Sequence, residues 1–391
     1  MTLGTMTSGT MTSGTTAARN TAASSTAVRA ATGKPIGLIM QGGGALGAYE
    51  HGAVCCLLDA GYDPVAVSGV SIGAINTAVI AGARGGDVRG GLQALWDAIT
   101  LAPVPFWPAD QQAAMSLFGN PGFWRSRTDF FSLHTWTSLC DVSPMYKTLN
   151  EIVDFATINT DPRVRMAVTA TCVETGDSVR FSNHHPNAPG VPDQATRTVK
   201  KRTPIGPEHI LASGSLPPGF PMTPISGQHY WDGGLFDNTP LHPLLEMLQG
   251  DEPDHLPIVV LDLFPSSAPP PGNWMAMQLR HLEITYQGRL WSEFGGPQDA
   301  VDFADMLMHL DARLDPNDPI RQHQQFKRMM LSRALRNLHV VENADVTITG
   351  GMDFSRHGVQ RRRDDGYRMM SAHLDTHVGD LSRQHGHPSG G

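Results

Sequence analysis

Residues 34–83 read KPIGLIMQGGGALGAYEHGAVCCLLDAGYDPVAVSGVSIGAINTAVIAGA. The apolar run Ile36 to Gln41 has the length of a buried strand and ends on three glycines. Ala45 to Ala60 carries helical patterning stopped by Gly61. Val65 to Ser68 is a second apolar run, and Ile72 to Ala83 a second helix. This order, strand, helix, strand, helix, predicts an α/β fold: a largely parallel sheet covered by helices.

Upstream, residues 1–33 are a Ser/Thr/Ala-rich stretch with an imperfect repeat, GTMTSGTMTSGT, and no continuous apolar core. They read as a disordered low-complexity tail without a signal peptide. Downstream, Phe106 to Trp136 gathers aromatics, Pro and Gly and reads as an insertion, as core or as a lid over a lipid site. Val164–Val173 and Val179–Ser182 predict a hairpin across Glu174-Thr175-Gly176-Asp177. Further elements are a helix from Pro207 to Ser213, a short strand ending at Trp231, a helix from Pro240 and a strand at Ile258–Phe264. The division expected is a tail over 1–33, a catalytic domain over 34–268 and a mainly helical extension over 269–391, with a hairpin at His339 to Thr349.

Gly69-Val70-Ser71-Ile72-Gly73 lies between a predicted strand and a predicted helix, the context of a G-x-S-x-G nucleophile elbow. Glycines allow the sharp turn, and the helix start offers N–H groups and partial positive charge to a developing oxyanion. A buried small-residue turn is the bland alternative. Gly42-Gly43-Gly44-Ala45-Leu46-Gly47 also fits the G-x-G-x-x-G dinucleotide fingerprint. That fingerprint wants an acidic residue at the end of the second strand, whereas Asp59 and Asp63 precede that strand and Ser71 follows it. An oxyanion loop is therefore favoured over a nucleotide-binding oxidoreductase. A serine needs a base. Seventeen histidines leave a triad open on count alone, with His242 the best-placed candidate, while Tyr230-Trp231-Asp232-Gly233-Gly234 offers a carboxylate at a strand end.

GGGALGAYEHG, GVSIG and DGG, in that order, resemble the patatin-like phospholipase family over about residues 34 to 265. The resemblance implies a three-layer α/β/α patatin-like fold and a Ser-Asp dyad, with Ser71 as nucleophile and Asp232 as base. It also implies an oxyanion hole at Gly42, Gly43 and Gly44, with motif glycines at Gly69, Gly73, Gly233 and Gly234. Many members carry Lys or Arg where Leu46 stands before Gly47. Ala212–Pro221 and Met352-Asp353-Phe354-Ser355 with its Arg-rich sequel resemble a bacterial subgroup with a helical C-terminal extension. The implied activity is hydrolysis of lipid acyl esters, phospholipase or esterase, without a cofactor. A catalytically idle lipid-binding protein on the same fold is a further alternative.

Lys+Arg 29 against Asp+Glu 37 gives a net charge of -8, which argues against nucleic acid as partner and against general attraction to anionic membranes. The partners expected are a lipid or other acyl-ester substrate and peripheral membrane contact. Cys55, Cys56, Cys140 and Cys172 lack zinc spacing and read as buried thiols of a cytoplasmic protein; no metal ligands are expected. Arg321–Arg336 reads as a basic helix packed on its own domain or lying on a membrane. Arg361, Arg362 and Arg363 offer charge to an acidic head group, but Asp364 and Asp365 follow immediately and favour a solvated face.

Overall fold

The computed structural model describes residues 33–103, 105–108, 112, 115, 118–160, 162–184, 198–202, 204–264, 270–274, 277, 280, 281, 284, 285, 290, 291, 294–343, 350–377 and 381. The expected tail over 1–33 thus lies, but for Gly33, outside the described residues.

The opening stretch folds as its pattern predicts. β1 (Lys34–Met40) leads through the glycine loop to α1 (Gly47–Asp59), β2 (Tyr62–Gly69) and α2 (Ile72–Gly82), and α3 (Val88–Ile99) follows. Three short strands, β3 (Gly119–Asn120), β4 (Trp124–Ser126) and β5 (Cys140–Asp141), form a small antiparallel sheet in the aromatic insertion. After α4 (Ser143–Ile152) and α5 (Phe155–Thr160) come β6 (Arg165–Cys172), β7 (Ser178–Ser182) and β8 (Thr198–Arg202). β6 and β7 form the expected antiparallel hairpin, turning through Gly176 at φ 68. α6 (Pro207–Ser213), β9 (Thr223–Ile225) and β10 (Gln228–Asp232) precede α7 (Leu241–Leu245), α8 (Glu252–His255) and β11 (Ile258–Asp262). The last elements are α9 (Pro297–Arg313), α10 (Gln324–Met330), β12 (Leu338–Glu342) and α11 (Arg356–Thr376).

The central sheet runs β12-β11-β1-β2-β6-β10-β9, with β7 and β8 attached through β6. Its first five strands are mutually parallel. Side chains alternate across it. Leu38, Met40, Val259 and Leu261 join a core with α1, α2 and α3, whereas Ile39, Ile258 and Val260 join a second core with Leu241, Leu244, Ala300 and Leu335. Strands apolar on both faces require helices on both, which gives the three layers.

Three expectations are corrected. His339–Thr349 is not a hairpin as far as it is described: β12 lies parallel to β11 at the edge of the central sheet, and residues 344–349 lie outside the described residues. An apolar run flanked by turn residues signals a strand but not its partner. Arg321–Arg336 is not one helix but a short α10 between two 3-10 turns. Its Phe326, Met330 and Leu335 are buried, and Arg328, Arg333 and Arg336 pair with Glu246, Asp254 and Asp305, so it packs on the protein itself. The arginine run at 361–363 is not a plain solvated face, because Arg362 is fully buried and donates to the Asp353 carbonyl at 2.8 Å. α11 crosses α1 so closely that a Cβ on Gly52 would sit 1.8 Å from the Arg363 carbonyl oxygen, and one on Gly366 would sit 1.9 Å from that of Tyr49. The four cysteines are unpaired, three buried and Cys140 half-buried. Among the described residues no helix is long and apolar enough to cross a membrane.

Candidate active site

β2 and β10 approach one another head-on along the same side of β6. β2 ends with Gly69 opposite Val168, and antiparallel β10 ends with Asp232 opposite Ala170. The gap between the two strand ends spans one residue of β6. Two segments 161 residues apart in sequence (232 − 71) are thereby delivered to one point of the sheet, Ser71 from one side and Asp232 from the other.

The turn carrying Ser71 is tight because the residues around it permit nothing looser. Ser71 adopts φ 54 and ψ -123, a conformation that an ordinary side chain rarely takes. A Cβ on Gly73 would fall 2.3 Å from the Met40 carbonyl oxygen, and one on Gly69 would fall 2.4 Å from that of Gly73. The motif glycines are thus demanded by the close crossing of β1, β2 and the start of α2. Gly233 has the same reason: its Cβ would lie 2.2 Å from the Thr169 carbonyl oxygen.

Both candidate positions are tied to the segment that ends α6 and the turn after it. The Ser71 N–H donates to the Ser213 carbonyl and hydroxyl oxygens, each at 3.1 Å, while the Asp232 N–H donates to the Ser215 carbonyl oxygen at 3.0 Å. Ser213 is itself anchored, its hydroxyl donating to the Thr169 carbonyl at 2.6 Å. The Asp232 carbonyl accepts from Thr171 Oγ1 at 2.9 Å. Asp232 is buried, and its Oδ1 accepts the Gly234 N–H at 2.7 Å. Burial pushes its pKa up to about 7, against the opposing pull of the Ser71 hydroxyl and the Gly234 N–H. The Ser71 hydroxyl lies near the carboxyl without a hydrogen bond of ordinary geometry to Oδ2, which has no hydrogen-bond partner among the described residues.

The glycine loop closes over the serine. A Cβ on Gly42 would sit 2.9 Å from Ser71 Cβ and 2.5 Å from Asn238 Oδ1, so only glycine fits. Asn238 Nδ2 donates to the Gly42 carbonyl at 3.2 Å, which turns that oxygen toward Asn238. Gly43 accepts the Leu46 N–H through its carbonyl at 3.1 Å. Gly44 takes φ 58 and lies against Gly351, whose carbonyl oxygen would be 2.3 Å from a Cβ there. Gln41 braces the loop from below: its Nε2 donates to Thr239 Oγ1 at 2.8 Å and its Oε1 accepts the Leu263 N–H at 2.9 Å. Beneath α1, Asn76 donates to Glu50 at 2.8 Å and to the Gly47 carbonyl at 3.1 Å, and accepts from Trp96 Nε1 at 3.1 Å. Burial pushes the Glu50 carboxyl well above its ordinary range, against the opposing pull of Asn76.

The structure therefore brings Ser71, Asp232, Gly42, Gly43, Gly44, Gly69, Gly73, Gly233 and Gly234 into one neighbourhood. It leaves His242 exposed on α7. Sequence reasoning did not single out Ser213, Ser215, Asn238, Gln41 or the Glu50-Asn76-Trp96 network. Asn238 and Gln41 carry no local signal, and Ser213 and Ser215 entered only as part of Ala212–Pro221, a stretch noted for its resemblance to a subgroup.

The sequence model described as patatin-like phospholipase matches residues 38–245, from within β1 to the end of α7. The chain belongs to the patatin-like phospholipase family. Its general activity is accordingly that of a lipid acyl hydrolase. No curated protein matches the chain. Among solved structures it is similar to VipD from Legionella pneumophila, with 13% identity over 89% of this chain and 68% of that one, at a TM-score of 0.35.

Proposed function

We propose that this patatin-like protein hydrolyses acyl esters of lipids through a Ser71-Asp232 dyad, with Gly42, Gly43 and Gly44 as the oxyanion loop. The observation that carries the reading is the head-on meeting of β2 and β10. It sets a serine at φ 54 beside a buried carboxyl whose pKa is raised to about 7. In the proposed cycle Asp232 takes the Ser71 proton as Oγ attacks the ester carbonyl. The tetrahedral oxyanion is held by loop N–H groups, and the proton passes to the leaving alcohol as the acyl-serine forms. Water then attacks the acyl-serine, giving its proton to Asp232, and the carboxylic acid leaves as Ser71 regains a proton. An ordinary carboxylate is too weak a base for this at neutral pH, and burial corrects that mismatch.

The oxidoreductase alternative is disfavoured by the packing of the glycine loop. Ser71, Asn238 and Gly351 crowd Gly42 and Gly44 where a dinucleotide pyrophosphate would need to approach. The mainly helical extension from residue 269 is read as packed on the catalytic part, a reading supported by β12 adding to the central sheet and Gly351 meeting the glycine loop.

The aromatic insertion supports a lipid surface as the working environment. Phe123, Trp124 and Phe354 are buried and pack with half-buried Phe220, whereas Phe106, Phe118, Phe130, Phe131, Leu133 and Leu139 are exposed. The exposed part is tied to the turn that bears Ser215, because the Leu139 and Cys140 N–H groups donate to the Pro218 and Gly219 carbonyls at 3.1 and 2.9 Å. The test compares a soluble p-nitrophenyl ester with zwitterionic phospholipid vesicles. The wild type is expected to hydrolyse both, and joint replacement of Phe106 and Phe131 by Ser to lower vesicle hydrolysis about tenfold or more while sparing the soluble ester. Lipid binding without turnover on any ester would instead mark a catalytically idle member.

A further inference from the structure

At the sheet edge opposite β9, three histidines from distant parts of the chain converge. His339 lies on β12, and His373 and His377, one helical turn apart, close the C-terminal end of α11. Each offers a ring nitrogen such that the three lie within 4.8 Å of one another. The ring centroids are 4.4, 5.0 and 5.4 Å apart. His339 is buried and the other two are half-buried, so the cluster has packed walls and an opening to solvent.

We propose that His339, His373 and His377 bind a borderline divalent transition-metal ion of the zinc class, which staples the end of α11 to the edge strand β12. His373 Nε2 and His339 Nδ1 are 3.3 Å apart. Two metal–nitrogen bonds of about 2.0–2.1 Å at a tetrahedral angle put their nitrogens about 3.3–3.4 Å apart, so these two rings already span one edge of a zinc tetrahedron. The third ring is oriented for the same use. Its Nδ1 donates to the His373 carbonyl at 2.8 Å, which fixes the tautomer and leaves Nε2 with its lone pair. Closing the longest separation takes a side-chain movement of roughly 1.5 Å to reach the same edge length. An all-imidazole set suits zinc, cobalt, nickel or copper and not magnesium or calcium, which prefer oxygen. Three protein ligands leave the fourth position to water. The site is separate from the dyad and does not depend on the hydrolase reading.

The test uses the untagged full chain, stripped with a chelator and titrated with Co²⁺. The expected result is one equivalent bound, with the visible absorption of a tetrahedral complex that Zn²⁺ abolishes and Mg²⁺ does not, and a higher Tm with metal than without. His377→Ala and His373→Ala are each expected to weaken binding by at least about 100-fold. Far-UV circular dichroism and a cooperative melt of the metal-free protein report that the variants remain folded. Joint replacement of His385 and His387, near the last residue of the sequence, by Ala should leave binding intact. No stoichiometric binding by the wild type overturns the proposal, as does binding that survives His373→Ala and His377→Ala or is lost on replacing His385 and His387.

Discussion

Ser71→Ala is expected to lower kcat/KM on a medium-chain p-nitrophenyl ester by at least about 10⁴, with the fold and Tm little changed. The size follows from the chemistry: without Oγ there is no acyl-enzyme, and what remains is an oxyanion loop acting on water. The preserved fold follows from the local structure. What holds the elbow is the backbone, since the Ser71 N–H donates to Ser213 and Gly69 and Gly73 make the crossing with β1. Alanine keeps that backbone donor. Steady-state hydrolysis and a thermal melt of the same preparation check both parts. Turnover within tenfold of wild type would move the nucleophile elsewhere.

Asp232→Asn is expected to cost about 10² to 10⁴ in rate, the range of a positioned general base. Its pH signature is more specific. The folded protein holds the Asp232 proton up to about pH 7, whereas an unperturbed aspartate loses it near 3.8. Because the folded state binds the proton more tightly, its contribution to stability is fully present below about pH 4 and is lost as pH rises to about 7. Asparagine cannot titrate, and its carbonyl can still accept the Gly234 N–H. The variant should therefore gain stability relative to wild type as pH goes from 5 to 8, by an amount on the order of 3 kcal/mol. Activity runs the other way. The base works ionised, so kcat/KM of the wild type should rise with pH through about 7, a limb that the Asn variant lacks. Urea melts at the two pH values and a pH profile of kcat/KM measure these effects. A wild-type profile flat across pH 6 to 8 would contradict the raised pKa.

How far the chain was legible in advance depended on whether its signals were local. β1, α1, β2 and α2 each advertise themselves through an apolar run, a helical period or a glycine stop, and the structure places them within a few residues of expectation. The three motifs were legible because close backbone contacts write themselves into sequence as glycines: Gly42, Gly69, Gly73 and Gly233 each stand where a Cβ has no room. What was not legible is tertiary. Nothing around residues 338–342 says that the strand pairs with β11 rather than with its own sequel. Nothing in an Arg-Arg-Arg run says that Arg362 alone points inward to Asp353. Asn238 gained its role by meeting the carbonyl of Gly42, 196 residues away. The aromatic insertion was ambiguous for the same reason, and it divides: Phe123 and Trp124 fill core, while Phe106 and Phe131 face outward.

The central claim is that Ser71, activated by Asp232, is the nucleophile. The most direct measurement is mass-spectrometric mapping of the adduct that forms when the protein is treated with a fluorophosphonate at pH 8, where Asp232 is ionised. The account predicts a single covalent modification on the peptide bearing Ser71, formed far more slowly in Asp232→Asn. A modification on any other residue, or none under conditions in which the protein hydrolyses esters, would contradict it.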